Sequence, residues 1–334
     1  MKAFQIKKYS KTEKLQLIEV PEPAAKANEV LVQIHAAGLN LLDTMIKTGE
    51  FKPFLPYKTP LINGHDMAGV VVKIGSAVKN FKVGDEVYSR VRDYAIGTFA
   101  EYIAVNENDL ALKPRNISMV EAASIPLVAL TVWQALIEKG KLKKGQKVFI
   151  QAGSGGVGTI AIQLAKHLGA TVATTTSTGN IELVKSLGAA IIIDYKKDDF
   201  ADKLKDYDLV LHSSRDKKVL EKSLKLLKPG GILVSLTGPP TPEFADELSL
   251  PWYLKLLMKF LSAAPRKLAD KLKVTFYFLF MKASGKQLSE ITSLIEAGVI
   301  RPVIDKVFPF EQTNEAMAYV ETGRVKGKAV IKIK

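Results

Sequence analysis

No cysteine occurs in the 334 residues. That absence removes disulfides, thiolate nucleophiles and thiolate metal ligands together. Long apolar runs are missing as well. The longest, Val274–Met281 (VTFYFLFM), is far short of the roughly 20 residues a membrane span needs, and it reads as a buried strand. The first residues, MKAFQIKKYSKTEK, hold no apolar core and no small-residue cleavage site, so no signal peptide is expected. Acidic side chains are the minority, 34 against 48 basic ones, for a net charge of +14. The basic residues are spread along the chain, and no zinc-finger, RRM or helix-turn-helix pattern accompanies them. A nucleic-acid partner is therefore not expected. The excess suits a polyanionic cofactor, or is simply a solvated lysine-rich surface. A cytoplasmic enzyme without an integral membrane span fits all of this.

The length implies two domains. Residues 1–120 carry short β-branched or alternating runs (EVLVQIHAAG, AGVVVKIG, GDEVYSRV, FAEYIAV) cut by Gly, Asn and Pro, which suggests a compact barrel-like β domain. From residue 121 strands alternate with helical patterns, as in a parallel sheet of βαβ units. Strands are expected at 147–151, 170–174, 190–194, 209–211 and 231–236. From residue 283 a helix, a strand, a second helix and a closing strand, KAVIKIK, return to the first texture.

The strongest local signal is KVFIQAGSGGVGTIAIQLAKHLGA. Gly153-x-Gly155-x-x-Gly158 follows an apolar strand and opens an amphipathic helix over 157–168, the context of a dinucleotide fingerprint. Gly153 allows the tight turn, Gly155 the approach of backbone to a pyrophosphate, and Gly158 close helix–strand packing. A glycine-rich turn without a ligand is the bland alternative. The second strand ends in Thr174-Thr175-Thr176-Ser177-Thr178-Gly179-Asn180, with no acid to bind a ribose diol. Hydroxyl and amide groups accept a 2′-phosphate that a carboxylate would repel, so NADPH is favoured over NADH.

The segments AAGLNLLD, GHDMAGVVVKIGSAVKNFKVGDEV, IPLVALTVWQAL, AGSGGVGTIAIQLAKHLGA and SLGAAIIIDY, with EAGVIRPVIDKVFPFEQTNEAMAYVETGRVKGKAVIKI toward the C-terminus, resemble the medium-chain dehydrogenase/reductase superfamily. The finer likeness is to its zinc-free quinone oxidoreductase and enone/alkenal reductase branch. The resemblance implies an α/β fold: a Rossmann doubly wound parallel sheet at 121–282, and a split GroES-like β-barrel catalytic domain at 1–120 and 283–334. It also implies a homodimer through the VTFYFLF edge strand.

In zinc-dependent members of that superfamily, a Cys, the His of a GHE-type corner and a further Cys or Asp hold the metal. Here the matching positions fall on Asn40, His65 and a residue such as Leu127, which is no tetrahedral zinc site. His65 is expected to be structural, and no metal is expected. Without a Lewis acid the chemistry suits an acceptor already activated toward hydride: a quinone, or a C=C bond conjugated to a carbonyl. A zinc-free alcohol dehydrogenase and a nucleotide-binding protein with vestigial catalysis are the alternatives.

Residue roles follow from the resemblance. Asn40 and Asp43 would be the catalytic pair, lining the nicotinamide and acceptor site. Thr131 would touch the nicotinamide, and Ser154, Gly155, Gly156 and Val157 would hold the pyrophosphate. Ser177, Asn180 and Tyr195 would grip the adenosine phosphate. Thr237, Gly238, Phe278, Phe280, Gly327 and Lys328 would border the cofactor, with ordinary core or turn packing as their other reading. Three departures stand out. Gly179 replaces a basic residue frequent in relatives. His212 lies in LVLHSSRD, where an Asp-containing run is common, and reads as a packing residue. The segment 248–273 is long, basic and amphipathic, with Leu254, Leu257, Met258 and Leu261 on one face. It reads as a helix packed on the Rossmann domain, as a flap over an apolar acceptor pocket, or as a contact with a membrane surface.

Overall fold

The computed structural model describes residues 1–53 and 55–334. The chain divides into two compact units, residues 1–130 with 282–334, and residues 131–281. The change of texture near residue 121 is not where the first unit ends. The helix Met119–Ala123 packs on the strands Glu29–Gly38 and Asp66–Ile74, because its buried Ala122 and Ala123 let a backbone come close to the sheet.

The first unit is built on a seven-stranded sheet. Its order runs Ile304–Pro309, Lys328–Lys332, Glu29–Gly38, Asp66–Ile74, Glu86–Arg90 and Leu110–Leu112, with Tyr102–Asn106 also paired to Glu29–Gly38. Val30, Val32, Ile34, Met67, Val71, Val87, Ile103 and Val105 fill its core. The strand EVLVQIHAAG is buried at Val30, Leu31 and Val32 and again at Ala36, Ala37 and Gly38, so both of its faces are covered over much of its length. A small sheet of Gln16–Glu19, Lys2–Ile6 and Leu61–Ile62 completes the β structure of this unit.

The second unit holds six strands in the order Ile191–Asp194, Thr171–Thr176, Lys147–Ile150, Tyr207–His212, Leu227–Ser235 and Thr275–Phe278. All five pairings are parallel, and the order is the doubly wound 3-2-1-4-5-6 pattern of the Rossmann fold. Parallel strands covered on both faces explain the near-continuous apolar runs KVFI and YDLVLH.

Two expectations need correction. Val274–Met281 is not a fully buried strand. Only Thr275–Phe278 is extended, at the sheet's outer position, with Thr275 exposed and Phe276, Tyr277 and Phe278 half-buried, because an edge strand has only one neighbour to cover it. The segment 248–273 forms two helices, Trp252–Leu261 and Ala263–Leu272. In the first, Met258 is buried while Leu257 and Leu261 face outward. Among the described residues, no helix is long and apolar enough to cross a membrane.

Candidate active site and cofactor cradle

In the first unit, strand register brings distant residues to one sheet end. Gly38 lies opposite Asp66 on one neighbouring strand and opposite Val330 on the other. The Leu39 amide then donates to the Ala329 carbonyl at 3.0 Å. Asn40, Asp66 and Lys328 therefore meet. Gly38 is obligatory here, because a Cβ would run into the Ala123 carbonyl oxygen.

Asn40 Nδ2 donates to Asp66 Oδ2 at 3.0 Å, and Asn40 Oδ1 accepts from the Lys328 ammonium. Lys328 Nζ also donates to the Leu39 carbonyl at 2.7 Å and stands 3.6 Å from Asp66 Oδ2. The other Asp66 oxygen accepts the Leu127 amide at 2.9 Å. Asp43, in the first turn of the helix Leu41–Thr48, accepts from the Asn40 amide at 2.8 Å. Its second oxygen lies 2.5 Å from His65 Nδ1. A carboxylate only accepts, so Nδ1 carries the proton of that bond. The far nitrogen, Nε2, has no hydrogen-bond partner among the described residues. All five side chains are buried. Burial pushes the Lys328 ammonium down and the Asp66 carboxyl up, and each opposes the other's shift. An unpaired charge in this corner would be costly, so the two are retained together.

These residues do not fit a zinc ion. The Asn40 oxygen already faces a cation, Leu127 offers only its amide, and His65 is a single imidazole. Among the described residues no three His, Cys, Asp or Glu side chains are grouped to hold a metal. Asp66, which beside His65 reads in the sequence as part of a metal corner, instead holds Asn40 and Lys328. It adjoins His65 in GHD, yet its link to Lys328 depends on strand register.

In the second unit the glycine-rich loop leaves the strand Lys147–Ile150 through Ala152, at φ +52°. A Cβ at Gly153 would run into Thr174 Oγ1, and one at Gly158 into the Ala152 carbonyl. Those two glycines pack the loop. A Cβ at Gly155 would meet only the Ala152 oxygen, at 3.4 Å, so space opens in front of it. The helix Gly156–His167 starts there without a side-chain cap, which leaves the first-turn amides of Gly156 and Val157 suited to an anion.

Beside the loop, Ser154 Oγ accepts from Thr176 Oγ1 at 3.1 Å and from Asn180 Nδ2 at 3.2 Å, and the Asn180 amide reaches Ser177 Oγ at 3.2 Å. The structure thus joins Ser154, Ser177 and Asn180, and adds Thr176. Tyr195 is exposed next to them in sequence to Asp194, which pairs in register with Thr176. Asp194 was missed. It ends the third strand rather than the second, and its carboxyl accepts from Thr178 Oγ1 at 2.6 Å. That hydroxyl holds the carboxyl below its usual range, against burial and helped by the Lys196 amide and the Lys197 and Lys196 charges. The cradle fits a nicotinamide dinucleotide: open backbone at Gly155, uncapped amides, and neutral donors beyond them.

The remaining candidates lie apart from this cluster. Thr131 is buried in the helix Pro126–Trp133. Thr237 Oγ1 donates to the Ser214 carbonyl at 2.7 Å, and Gly238 follows at φ +92°, at the carboxyl end of the parallel sheet where such folds bind ligands. The rings of Phe278 and Phe280 pack on Phe244, at 5.2 and 5.6 Å. Gly327 turns at φ +72° against Val303 in the first unit. His212 ends a central strand fully buried. Burial pushes its imidazole down to about 4, although the Ser214 backbone opposes the shift. Neither ring nitrogen has a partner of hydrogen-bonding geometry among the described residues, so the ring packs in its neutral form. A cavity of about 740 Å³ lined by Arg92, Asp109, Leu110, Gly285 and Ser289, among others, shares no residue with either cluster.

Known proteins resemble the chain along nearly its whole length. Residues 26–115 match the alcohol dehydrogenase GroES-like domain, and residues 187–331 the zinc-binding dehydrogenase domain. The 2-methylene-furan-3-one reductase of Solanum lycopersicum is 39% identical over 99% of this chain and 79% of its own. The chloroplastic NADPH-dependent alkenal/one oxidoreductase of Arabidopsis thaliana is 37% identical, also over 99% and 79%. The quinone oxidoreductase structure from Coxiella burnetii superposes with a TM-score of 0.84 at 29% identity, over 100% of this chain and 99% of that one. With its Rossmann sheet, its GroES-like unit and these relatives, the chain belongs to the medium-chain dehydrogenase/reductase superfamily, in the branch of quinone oxidoreductases and enone/alkenal reductases.

Proposed function

We infer that this oxidoreductase uses NADPH to reduce quinones or α,β-unsaturated carbonyls without a metal. The carrying observation is the Lys328 ammonium against Asn40 Oδ1, at the sheet end where zinc-dependent relatives place their first ligand. The protein's own cation fills the electrostatic role there, and an acceptor already electrophilic needs no Lewis acid. The relatives named above act on acceptors of this class.

The Gly156 and Val157 amides hold the pyrophosphate, with Gly155 leaving the space in front of them open. Ser154, Ser177, Asn180 and Tyr195 surround the adenosine phosphate, with Lys196 and Lys197 adding positive charge nearby. Thr131, Thr237, Gly238, Phe278 and Phe280 belong to the nicotinamide end. When bound, NADPH supplies the hydride. Asn40 is held rigid from both sides by Asp66 and Lys328, and only one of its two Nδ2 hydrogens is used by Asp66. The second is available to an acceptor oxygen that gains charge. Asp43 positions the Asn40 turn and the His65 ring. Two copies would pair through the outer edge of Thr275–Phe278, and the cysteine-free chain suits the cytoplasm.

NADPH oxidation by chelator-treated protein, with 9,10-phenanthrenequinone, 1,4-benzoquinone, a medium-chain 2-alkenal, or a primary alcohol with NADP⁺, tests this reading. Turnover of a quinone or alkenal that survives chelation supports it. Loss on chelation, or alcohol oxidation alone, overturns it.

A further inference from the structure

The helix Trp252–Leu261 is amphipathic in an unusual sense, because its broad apolar face points away from the protein. At about 100° per residue, Trp252, Leu256, Phe260, Tyr253, Leu257 and Leu261 sweep a continuous half-turn of its surface. All six are exposed, Trp252 by 76% and Phe260 by 70%. The narrow opposite face, half-buried Leu254 and buried Met258, packs toward the helix Pro242–Glu247. Soluble proteins rarely leave such a contiguous apolar patch uncovered without a partner.

We propose that this face is a docking surface for an anionic lipid bilayer, lying in the headgroup boundary with Trp252, Tyr253 and Phe260 inserted. Charge complementarity selects the occupant. Residues 252–273 carry Lys255, Lys259, Arg266, Lys267, Lys271 and Lys273 against the single acid Asp270. Lys255 and Lys259 fall beside Trp252, at one border of the apolar arc. Lys255 is paired with Asp246 of the neighbouring helix at 2.6 Å, so the attraction rests on the other five. A tryptophan at the border of the apolar face beside flanking lysines, with Tyr253 and Phe260 at the centre of that face, matches an interfacial helix. A second copy would instead bring two such basic segments together, within a chain of net charge +14. The consequence is a reductase that works beside the bilayer in which lipophilic acceptors dissolve.

The full-length protein is mixed with vesicles of phosphatidylcholine alone or with phosphatidylglycerol, and floated on a density gradient. The parent should float with the anionic vesicles, release at high salt, and show a blue shift of Trp252 emission that persists in a W133F background. The double variant L256E/F260E should lose about tenfold or more of that binding, with its melting temperature and turnover of a water-soluble quinone retained. No flotation with anionic vesicles overturns the proposal. So does flotation unchanged by L256E/F260E, or a concentration-dependent dimer that buries Trp252 in the absence of lipid. A fall in turnover of the water-soluble quinone in L256E/F260E with unchanged vesicle binding would make the helix a flap over the acceptor, and would also overturn it.

Discussion

Lys328 and Asn40 are separated by 288 residues, yet the ammonium of one donates to the side-chain oxygen of the other inside the first unit. Asp66 closes the triangle, 3.0 Å from the Asn40 amide and 3.6 Å from the ammonium. A carboxylate left there alone would keep only the Asn40 and Leu127 hydrogen bonds. K328M should therefore destabilise the protein by about 3 kcal/mol or more. The double variant K328M/D66N should recover much of that loss, because no unpaired charge remains. Urea unfolding of the parent, K328M, D66N and the double variant measures the coupling; additive losses would refute the pairing.

The glycine loop separates packing from binding. Replacing Gly158 with Ala drives a Cβ into the Ala152 carbonyl, so G158A should lower the melting temperature and weaken NADPH together. G155A meets nothing closer than 3.4 Å. It should fold normally and lose about tenfold or more in NADPH affinity, ~1.4 kcal/mol. Thermal melts with cofactor titration by fluorescence compare the two. An unaltered affinity in G155A would remove Gly155 from the cradle.

His212 gives stability a signature in acid. Its folded imidazole titrates near 4 against an ordinary 6.5, through burial. Between those values the unfolded chain binds the extra proton, so stability falls as pH drops from about 6.5 to 4. The loss reaches about 3 kcal/mol at the lower end. H212L should flatten that part of the parent's stability–pH curve. Equal acid sensitivity in both proteins would mean that the imidazole is accessible to protons.

How much of this was legible depends on how local the cause is. The cradle could be read from GSGGVG because strand, turn and helix are contiguous, and the same holds for the hydroxyls of TTTST. The resemblance names Asn40, Asp43, His65 and Lys328, but the contacts among them could not be read. AAGLN, GHD and GK converge only through the pairing of Gly38 with Asp66 and with Val330, and residue spacing carries no register between strands so far apart. Asp194 was hidden for the same reason, reaching the adenosine end only through its pairing with Thr176. The helix Trp252–Leu261 shows a different limit. Periodicity reveals an apolar arc but not which way it faces, and Leu257 and Leu261, grouped in sequence with Met258, turned outward.

Subunit pairing can be read directly from mass. Thr275–Phe278 ends the six-stranded sheet with one hydrogen-bonded neighbour, and an unpaired edge rich in aromatics invites a second copy. Light scattering behind a sizing column should give near twice the 36.6 kDa of the chain. A single-chain mass would refute pairing at this edge.

Cofactor choice is the sharpest test of the adenosine end. Ser154, Thr176, Ser177 and Asn180 present neutral donors and acceptors to one another, and Asp194 is engaged by Thr178 rather than aimed at the cluster. A carboxylate placed among them would repel a 2′-phosphate while offering an acceptor to a ribose diol. S177D should thus raise the KM for NADPH by about tenfold or more, with the KM for NADH unchanged or lower, at the same kcat. The melting temperature should hold, since Ser177 lies on a surface turn and its side chain makes only the Asn180 hydrogen bond among the described residues. If S177D affects both cofactors alike, the 2′-phosphate does not lie at this cluster, and any preference for NADPH would have to arise from the lysines that follow Tyr195.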